Sequence, residues 1–215
     1  MNDYYPVYLD LNEKKCLVIG GGKVAERKVK SLLDCGARIF VVSPVLSAWL
    51  EQSAREGKVT AIMRNYTITD LDNAFLVIGA TDNHLINDKV AQECSKRNIL
   101  VNIVDQTAKC NFIVPAVIRQ GSLSISVSTD GKSPMLARRI REELEQFFGP
   151  EYQEFLDLLG NVRKHVLENV PEEDKRRDIF YQLVYSDIIE LLRDGEHEKV
   201  KERITHVLDS GWTKS

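Results

Sequence analysis

Three closely spaced glycines follow the first apolar run of the chain. Gly20, Gly22 and Ala25 fit the pattern G-x-G-x-x-G/A, and residues 16–19 before them form an apolar, strand-like run. In this pattern the first glycine permits a tight turn, the second lets a pyrophosphate approach the backbone, and the third position packs helix against strand. Free amides at the start of the following helix attract anions. The spacing predicts a dinucleotide site, and the competing interpretation is a simple glycine-rich turn.

The end of the second predicted strand lacks the acidic residue that commonly binds the adenine ribose. That residue is expected roughly 20 positions after the glycine loop, where this chain has Ser43 and Pro44. Either the Ser43 hydroxyl or the backbone is therefore expected to contact the ribose. Because no arginine stands there to select a 2′-phosphate, the residues favour NAD over NADP only as a preference.

Polar residues also follow the fourth and fifth predicted strands. Thr81 and Asp82 come after the fourth strand and Asp105 after the fifth, at the sheet edge across which a dinucleotide lies. Thr81 or Asp82 is expected to cap the next helix, which is compatible with contact to the cofactor. Asp105 is either a base that takes a proton as hydride leaves, or a turn residue that caps Gln106 and Thr107.

Apolar runs that alternate with helical periods place these residues on a common scaffold. Strands apolar on both faces, with helices between them, indicate a doubly wound parallel sheet. The chain is therefore predicted to be an α/β protein that begins with a Rossmann-type parallel sheet. The predicted strands are 16–19, 38–42, 59–63, 75–78 and 99–104.

The pattern changes after the fifth strand. Residues 112–118 and 123–127 are predicted to form an antiparallel hairpin, because the second run alternates apolar residues with serines. Ser133 suits a helix N-cap and Pro134 the first helical position. The remainder is predicted to be helical.

Composition limits the class of protein. The 215 residues are 43% hydrophobic and 28% charged, with a net charge of −3, which gives no reason to expect a nucleic-acid or membrane partner. No apolar run reaches the roughly 20 residues of a membrane span, and the first residues lack the pattern of a signal peptide. A cytoplasmic location is expected. Four cysteines without metal-ligand spacing predict no metal site.

Five segments in order resemble the precorrin-2 dehydrogenase family, which is also the N-terminal part of siroheme synthase. The resemblance covers about residues 4–150 and continues more loosely through the helical tail. It implies NAD-dependent oxidation of precorrin-2 to sirohydrochlorin and an intertwined homodimer, and some members also insert ferrous iron. The segments are Gly20–Lys28, Ala80–Asp82, Asn102–Asp105, Asn111–Ala116 and Gly131–Pro134.

The resemblance also assigns residues and regions. Asp105 matches the family's catalytic aspartate, and Ser133 matches a serine that is phosphorylated in some relatives. Lys23 and Val24 match the cofactor loop, and the segment from Ser43 matches a second cofactor segment. The implied division is an NAD-binding Rossmann domain at 1–113, a β-hairpin-plus-helix dimerisation and substrate region at 114–149, and a C-terminal helical domain at 150–215.

Arginines near Ser133 suit a substrate that is ringed with carboxylates. Arg138 and Arg141 share one face of the predicted helix, and Arg119 adds to the positive field. The alternative is that these arginines form surface ion pairs with the glutamates at 142, 143 and 145. Three other functions also stay open at this stage: a bifunctional enzyme that inserts iron, a non-catalytic NAD sensor, and an NAD-dependent enzyme for another anionic metabolite.

Overall fold

The computed structural model describes residues 4–213, and the side chains of residues 4–209. The chain divides into two compact units, one through Val114 and one from Pro115 onward. The first unit is the predicted parallel α/β sheet, and the second contains the hairpin and the C-terminal helices.

The first unit is built on a five-stranded parallel sheet with the order β3-β2-β1-β4-β5. The order reverses between β1 and β4, so their carboxyl ends form the switch point at which α/β sheets bind ligands. All five predicted strands are confirmed, and both ends of each strand lie within one residue of the predicted position. The strands are β1 (Lys15–Ile19), β2 (Arg38–Val42), β3 (Val59–Ile62), β4 (Leu76–Gly79) and β5 (Leu100–Ile103).

Helices cover both faces of this sheet. On one face, α1 (Lys23–Leu33) and α2 (Ala48–Arg55) pack against one set of alternate strand residues. On the other, α3 (His84–Lys96) packs against the second set. Burial on two faces explains why the strands are continuous apolar runs, because each fully buried aliphatic side chain contributes roughly 1.5–3 kcal/mol.

The second unit begins with a two-stranded antiparallel sheet and continues as helices. The strand β6 (Ala116–Gln120) pairs with β7 (Leu123–Val127). Helix α4 (Pro134–Glu145) packs on both strands. Ser133 is the N-cap residue of α4, as predicted, and its Oγ accepts a hydrogen bond of 3.2 Å from the Leu136 amide. Such a cap contributes about 1 kcal/mol.

Four further helices follow in the described part of the second unit. They share one apolar core that includes Phe155, Val166, Ile179, Leu183 and Ile188. No helix in the part of the chain that the structure describes is long and apolar enough to cross a membrane. The helices are α5 (Glu151–Asn169), α6 (Glu173–Val184), α7 (Ile188–Arg193) and α8 (His197–Thr213).

The predicted strand at 112–118 is wrong in its first half, because residues 111 and 112 bond to β5 instead. Asn111 Oδ1 accepts a hydrogen bond of 2.7 Å from the Val101 amide, and the Asn102 side chain donates to the Phe112 carbonyl at 3.1 Å. Since β5 is an edge strand, these bonds cover backbone groups that would otherwise be open to pairing with another chain. The hairpin therefore starts only at Ala116.

Candidate active site

The first two glycines of the loop after β1 are required by packing within the protein. Gly20 has φ +121°, and a Cβ on it would lie 2.2 Å from the Ala80 carbonyl oxygen. A Cβ on Gly21 would lie 2.0 Å from the Val45 carbonyl oxygen. The loop is therefore pressed between the segments that follow β4 and β2, and neither position accepts a side chain.

Gly22 differs, because the protein itself leaves room for a side chain there. It is exposed, its φ is −83°, and a Cβ would have no atom within 4 Å. It is also the N-cap residue of α1, and no side chain caps that helix. Open space in front of uncapped helix amides suits a diphosphate, which the positive end of the helix dipole stabilises. These features fit the dinucleotide that the glycine spacing predicts.

The predicted cofactor residues on α1 border this opening. Lys23 is the first residue of the helix, with a side chain 84% exposed, and its Nζ lies 3.3 Å from Glu26 Oε2. Val24 is also exposed. An exposed, flexible lysine at a helix N-terminus is expected to reach a phosphate bound there. Contact with the cofactor stays a prediction for both Lys23 and Val24.

A buried carboxylate that the spacing did not reveal joins the glycine loop to the segment after β2. Glu26 is 7% exposed and accepts hydrogen bonds from Lys30 at 2.8 Å and from Ser47 Oγ at 2.9 Å. The Ser47 amide donates to the Gly21 carbonyl at 2.7 Å. The bonds from Lys30 and Ser47 lower the pKa of Glu26 from 4.5 to about 2.

Replacing Glu26 by Gln is expected to destabilise the protein at neutral pH. A folded-state pKa below the unfolded value contributes stability that is complete above pH 4.5 and is lost as the pH falls to about 2. The deficit of Glu26→Gln in the free energy of unfolding should therefore shrink over that window, measured by urea denaturation. Glu51→Gln, which removes an exposed pair with Arg55, is the control and should change stability little. A deficit independent of pH would contradict the assignment.

Ser43, the predicted ribose contact, lies directly after β2 and helps to shape this segment. It is 8% exposed, and its hydroxyl donates a hydrogen bond of 2.7 Å to the Val45 carbonyl. Pro44 after it is exposed. The hydroxyl hydrogen is therefore used inside the turn, and contact of Ser43 and Pro44 with the cofactor stays a prediction.

The prediction that Thr81 or Asp82 caps the next helix is wrong. Asn83 is the N-cap residue of α3, and its Oδ1 accepts hydrogen bonds from the amides of Leu85 at 3.0 Å and Ile86 at 3.2 Å. Asn83 takes this role because it directly precedes the first helical residue. Thr81 Oγ1 accepts from the Asn83 amide at 3.2 Å, and Asp82 is exposed. Thr81 and Asp82 therefore lie at the switch point without serving as caps.

Asp105 lies in a tight turn immediately after β5. Its backbone has φ +59°, and the Gln106 amide closes the turn by donating to the Ile103 carbonyl at 3.2 Å. A non-glycine residue in this conformation is strained by about 1–3 kcal/mol, and such strain is common at functional sites. Asp105 is exposed, and the next 3-10 turn begins after Gln106, whose own side chain does not cap it. The structure thus does not support the alternative in which Asp105 is a capping residue.

Neighbouring side chains hold this turn in place. Gln106 Nε2 lies 3.1 Å from His84 Nδ1 on α3, and Lys109 donates to Gln106 Oε1 at 2.5 Å. The Cys110 thiol accepts from the Ile103 amide at 3.1 Å and donates to the Gln106 carbonyl at 3.3 Å. Burial raises the pKa of Cys110, so the thiol stays protonated and acts as part of the turn.

Lys28 interacts electrostatically with Asp105, and the sequence prediction did not identify this interaction. Lys28 lies half-buried on α1, three residues after Ala25. Burial is the main cause that lowers the pKa of Lys28, Arg27 lowers it further, and the charges of Asp105 and Cys110 oppose that shift. The sequence did offer a signal for Lys28, because this lysine stands directly beside residues of the apolar face of α1.

The arginines of the second unit form the ion pairs that were the alternative to substrate contact. Arg138 lies 2.7 Å from Glu142, and Arg141 lies 2.5 Å from Glu145. Helical pairs four residues apart contribute only about 0.3–0.5 kcal/mol when exposed. An anionic substrate would therefore displace them at small cost. Arg119 is exposed on β6, and contact of Ser133 or any of these arginines with substrate stays a prediction.

No group of three or more histidine, cysteine or acidic side chains in the described part of the chain is arranged to hold a metal ion.

Three family models match consecutive parts of the chain. The first, described as "Putative NAD(P)-binding", matches residues 7–116. The second, "Sirohaem biosynthesis protein central", matches residues 120–146. The third, "Sirohaem synthase dimerisation region", matches residues 151–208.

Among curated relatives, the siroheme synthase of Photobacterium profundum is 35% identical over 208 residues, which are 97% of this chain and 44% of the relative. The siroheme synthase of Saccharophagus degradans is 36% identical over 210 residues, or 97% of this chain and 45% of the relative. The chain thus spans less than half the length of these relatives. A solved structure named "SirC, precorrin-2 dehydrogenase" is 28% identical, has a TM-score of 0.81, and matches over 96% of this chain and 100% of that chain.

These matches confirm the family resemblance that the five sequence segments indicate. The first match alone spans just over half of the 215 residues. The chain belongs to the "Putative NAD(P)-binding" family, with the sirohaem biosynthesis central region and the sirohaem synthase dimerisation region following in the same polypeptide.

Proposed function

We propose that the protein catalyses the NAD-dependent dehydrogenation of precorrin-2 to sirohydrochlorin, with Asp105 as the general base. The observation that carries the proposal is the position of Asp105, which is exposed on a strained turn at the same sheet edge as the open glycine loop. The match over nearly the whole chain to a structure named as a precorrin-2 dehydrogenase supports it.

The chemistry needs a hydride acceptor and a base. NAD supplies the hydride acceptor when it is bound across the switch point. Asp105 takes the proton that the substrate loses together with the hydride, so the removal of two hydrogens is balanced.

Two groups of residues are assigned to binding in this proposal. The cofactor group borders the glycine loop and the ends of β2 and β4, and comprises Gly20, Gly22, Lys23, Val24, Ser43, Pro44, Thr81 and Asp82. The substrate group lies in the second unit, where positive charge suits a carboxylate-rich tetrapyrrole, and comprises Ser133, Arg119, Arg138 and Arg141.

The assembly proposed with this function is a homodimer that acts in the cytoplasm, where NAD is available to a biosynthetic dehydrogenase. The match of residues 151–208 to a dimerisation region supports the dimer. Light scattering of the purified protein is expected to give twice the 24.5 kDa of one chain. A mass of one chain at all concentrations would contradict the dimer.

The activity is tested with the purified protein, precorrin-2 and NAD. We expect NADH and the sirohydrochlorin absorption spectrum to appear together, in equal amounts, and only when NAD is present. Binding of NAD without any turnover of precorrin-2 would contradict the proposed substrate. Ferrous iron added after the reaction tests the additional chelatase activity that the resemblance implies for some members, because siroheme has its own spectrum.

A further inference from the structure

The side chain of Asn87 is buried directly behind the carboxyl end of β4. It lies in the first half of α3, is 2% exposed, and its Nδ2 donates a hydrogen bond of 2.9 Å to the Thr81 carbonyl. Its Oδ1 accepts no hydrogen bond from any donor in the described part of the chain. Because a carbonyl only accepts, the bond to Thr81 fixes which end of the amide is the donor.

A buried amide oxygen without a partner costs folding free energy, so Asn87 needs a reason beyond stability. The start of α3 does not supply one, because Asn83 already caps that helix with its own side chain. An apolar residue of similar shape would avoid the unpaired oxygen. The role of Asn87 is therefore to be sought in its Nδ2 donor and in the Thr81 carbonyl to which that donor bonds.

The surrounding backbone is shaped to admit this amide. A Cβ on Gly79 would lie 3.1 Å from Asn87 Oδ1 and 2.6 Å from Ile103 Cδ1. A glycine at the end of β4 thus leaves the space that Asn87 occupies.

The carbonyl that Asn87 holds lies in the peptide directly after the one against which the glycine loop packs. A Cβ on Gly20 would lie 2.2 Å from the Ala80 carbonyl oxygen and 3.2 Å from the Thr81 amide nitrogen. Gly20 therefore confines the Ala80–Thr81 peptide, and Asn87 binds the carbonyl of the next peptide, Thr81–Asp82. Because the two peptides share the Thr81 Cα, a change at Asn87 reaches the glycine loop through this one residue.

We infer that Asn87 is a positioning residue for the dinucleotide site: by holding the Thr81 carbonyl it fixes Thr81 and, through it, the adjoining Ala80–Thr81 peptide against the turn of the glycine loop. The inference rests on the proposed binding of NAD at this edge and adds a residue that does not itself touch the cofactor. Asn87 keeps the loop amides and the Thr81 hydroxyl in the arrangement that binds the diphosphate and the adjoining sugar.

The test replaces Asn87 by Leu in the full chain. Leu removes both the unpaired oxygen, which is a gain, and the hydrogen bond to the Thr81 carbonyl, which is a loss of similar size, so the free energy of unfolding should change little. The Kd for NAD should rise about tenfold. At saturating NAD, the kcat of the variant for precorrin-2 should be close to that of the parent protein. The substitution would then weaken NAD binding without slowing the chemical step. Asn87→Ala also lacks the donor and is smaller than Leu, and it provides the same measurement if Asn87→Leu does not fold.

Asn83→Ala is the matched control, because it removes another asparagine side chain from the start of the same helix. It should lower the free energy of unfolding by the loss of a cap and leave the Kd for NAD unchanged. In a double-mutant cycle, Thr81→Ala and Asn87→Leu should be non-additive in their effects on the Kd, since both act through one segment.

A folded Asn87 variant with the parent Kd for NAD, or strictly additive effects with Thr81→Ala, would overturn the inference. A parent protein that fails to bind NAD would instead overturn the proposed function on which the inference rests. The two failures are therefore distinguished by the parent protein alone.

Discussion

Asp105→Asn is expected to lower kcat for precorrin-2 oxidation by about 10²- to 10⁴-fold, the usual contribution of a positioned general base, and to leave the Kd for NAD unchanged. The amide has the shape of the carboxylate but does not take up a proton at neutral pH. Asn is preferred to Ala for this test because Asp105 has φ +59°, a left-handed conformation that Asn tolerates well. The turn after β5 should therefore be preserved while its base is removed.

The measurement is steady-state formation of NADH with precorrin-2, accompanied by titration of NAD. Glu13→Gln is the matched control, because Glu13 is also an exposed acidic residue with positive φ, at 56°, but lies before β1 at the opposite edge of the sheet. That variant should keep the parent kcat. Full turnover in Asp105→Asn would show that another group takes the proton, and a weakened Kd for NAD would show that the turn, and not the base, was changed.

The parallel sheet could be predicted from the sequence because its strands are buried on both faces. Cys16 and Val18 pack toward α1 and α2, whereas Leu17 and Ile19 pack toward α3, so every residue of the run must be apolar. Such runs stand out from the helices between them, whose apolar residues recur every three or four positions. The strand bounds are accurate for this reason.

The wrong predictions lie where neighbouring residues share the same local preference, or where contacts between residues distant in the sequence determine the local structure. Thr81, Asp82 and Asn83 are all capping residue types, and the sequence does not reveal which of them directly precedes the helix. The predicted strand at 112 was displaced by Asn111, which bonds to the edge strand β5 ten residues earlier. Apolar patterning alone does not reveal that competition.

The candidate site was predicted only where a short motif carries it. The glycine loop and the turn at Asp105 follow strand ends, so position in the sequence is enough to bring them to one edge. Glu26 bonds to Ser47 across 21 positions, and Asn87 acts on a carbonyl in the preceding loop. No fixed sequence spacing predicts either contact, so both were identified only from the structure. The arginine–glutamate pairs of α4 have such a rule, at four residues, and were foreseen as an alternative.

Gly22→Val is expected to weaken NAD binding by about 100-fold, or roughly 2.7 kcal/mol, without unfolding the protein. A Cβ at Gly22 meets no protein atom within 4 Å, and the backbone there, with φ −83°, is accessible to any residue. The side chain would instead fill the space in front of the α1 amides that the pyrophosphate needs. Gly22→Ala, with a single methyl group, should give a smaller loss of about tenfold.

Gly160→Ala and Gly21→Ala complete the comparison. Gly160 lies in α5 and also has open space around a Cβ, so its variant should bind NAD normally and gain up to about 1 kcal/mol of stability from helix propensity. Gly21→Ala should destabilise the loop itself, because its Cβ would lie 2.0 Å from the Val45 carbonyl oxygen. Calorimetric titration with NAD and thermal unfolding separate the two effects. A Gly22→Val protein that is stable and binds NAD as tightly as the parent would place the dinucleotide elsewhere, and the role proposed for Asp105 would lose its basis.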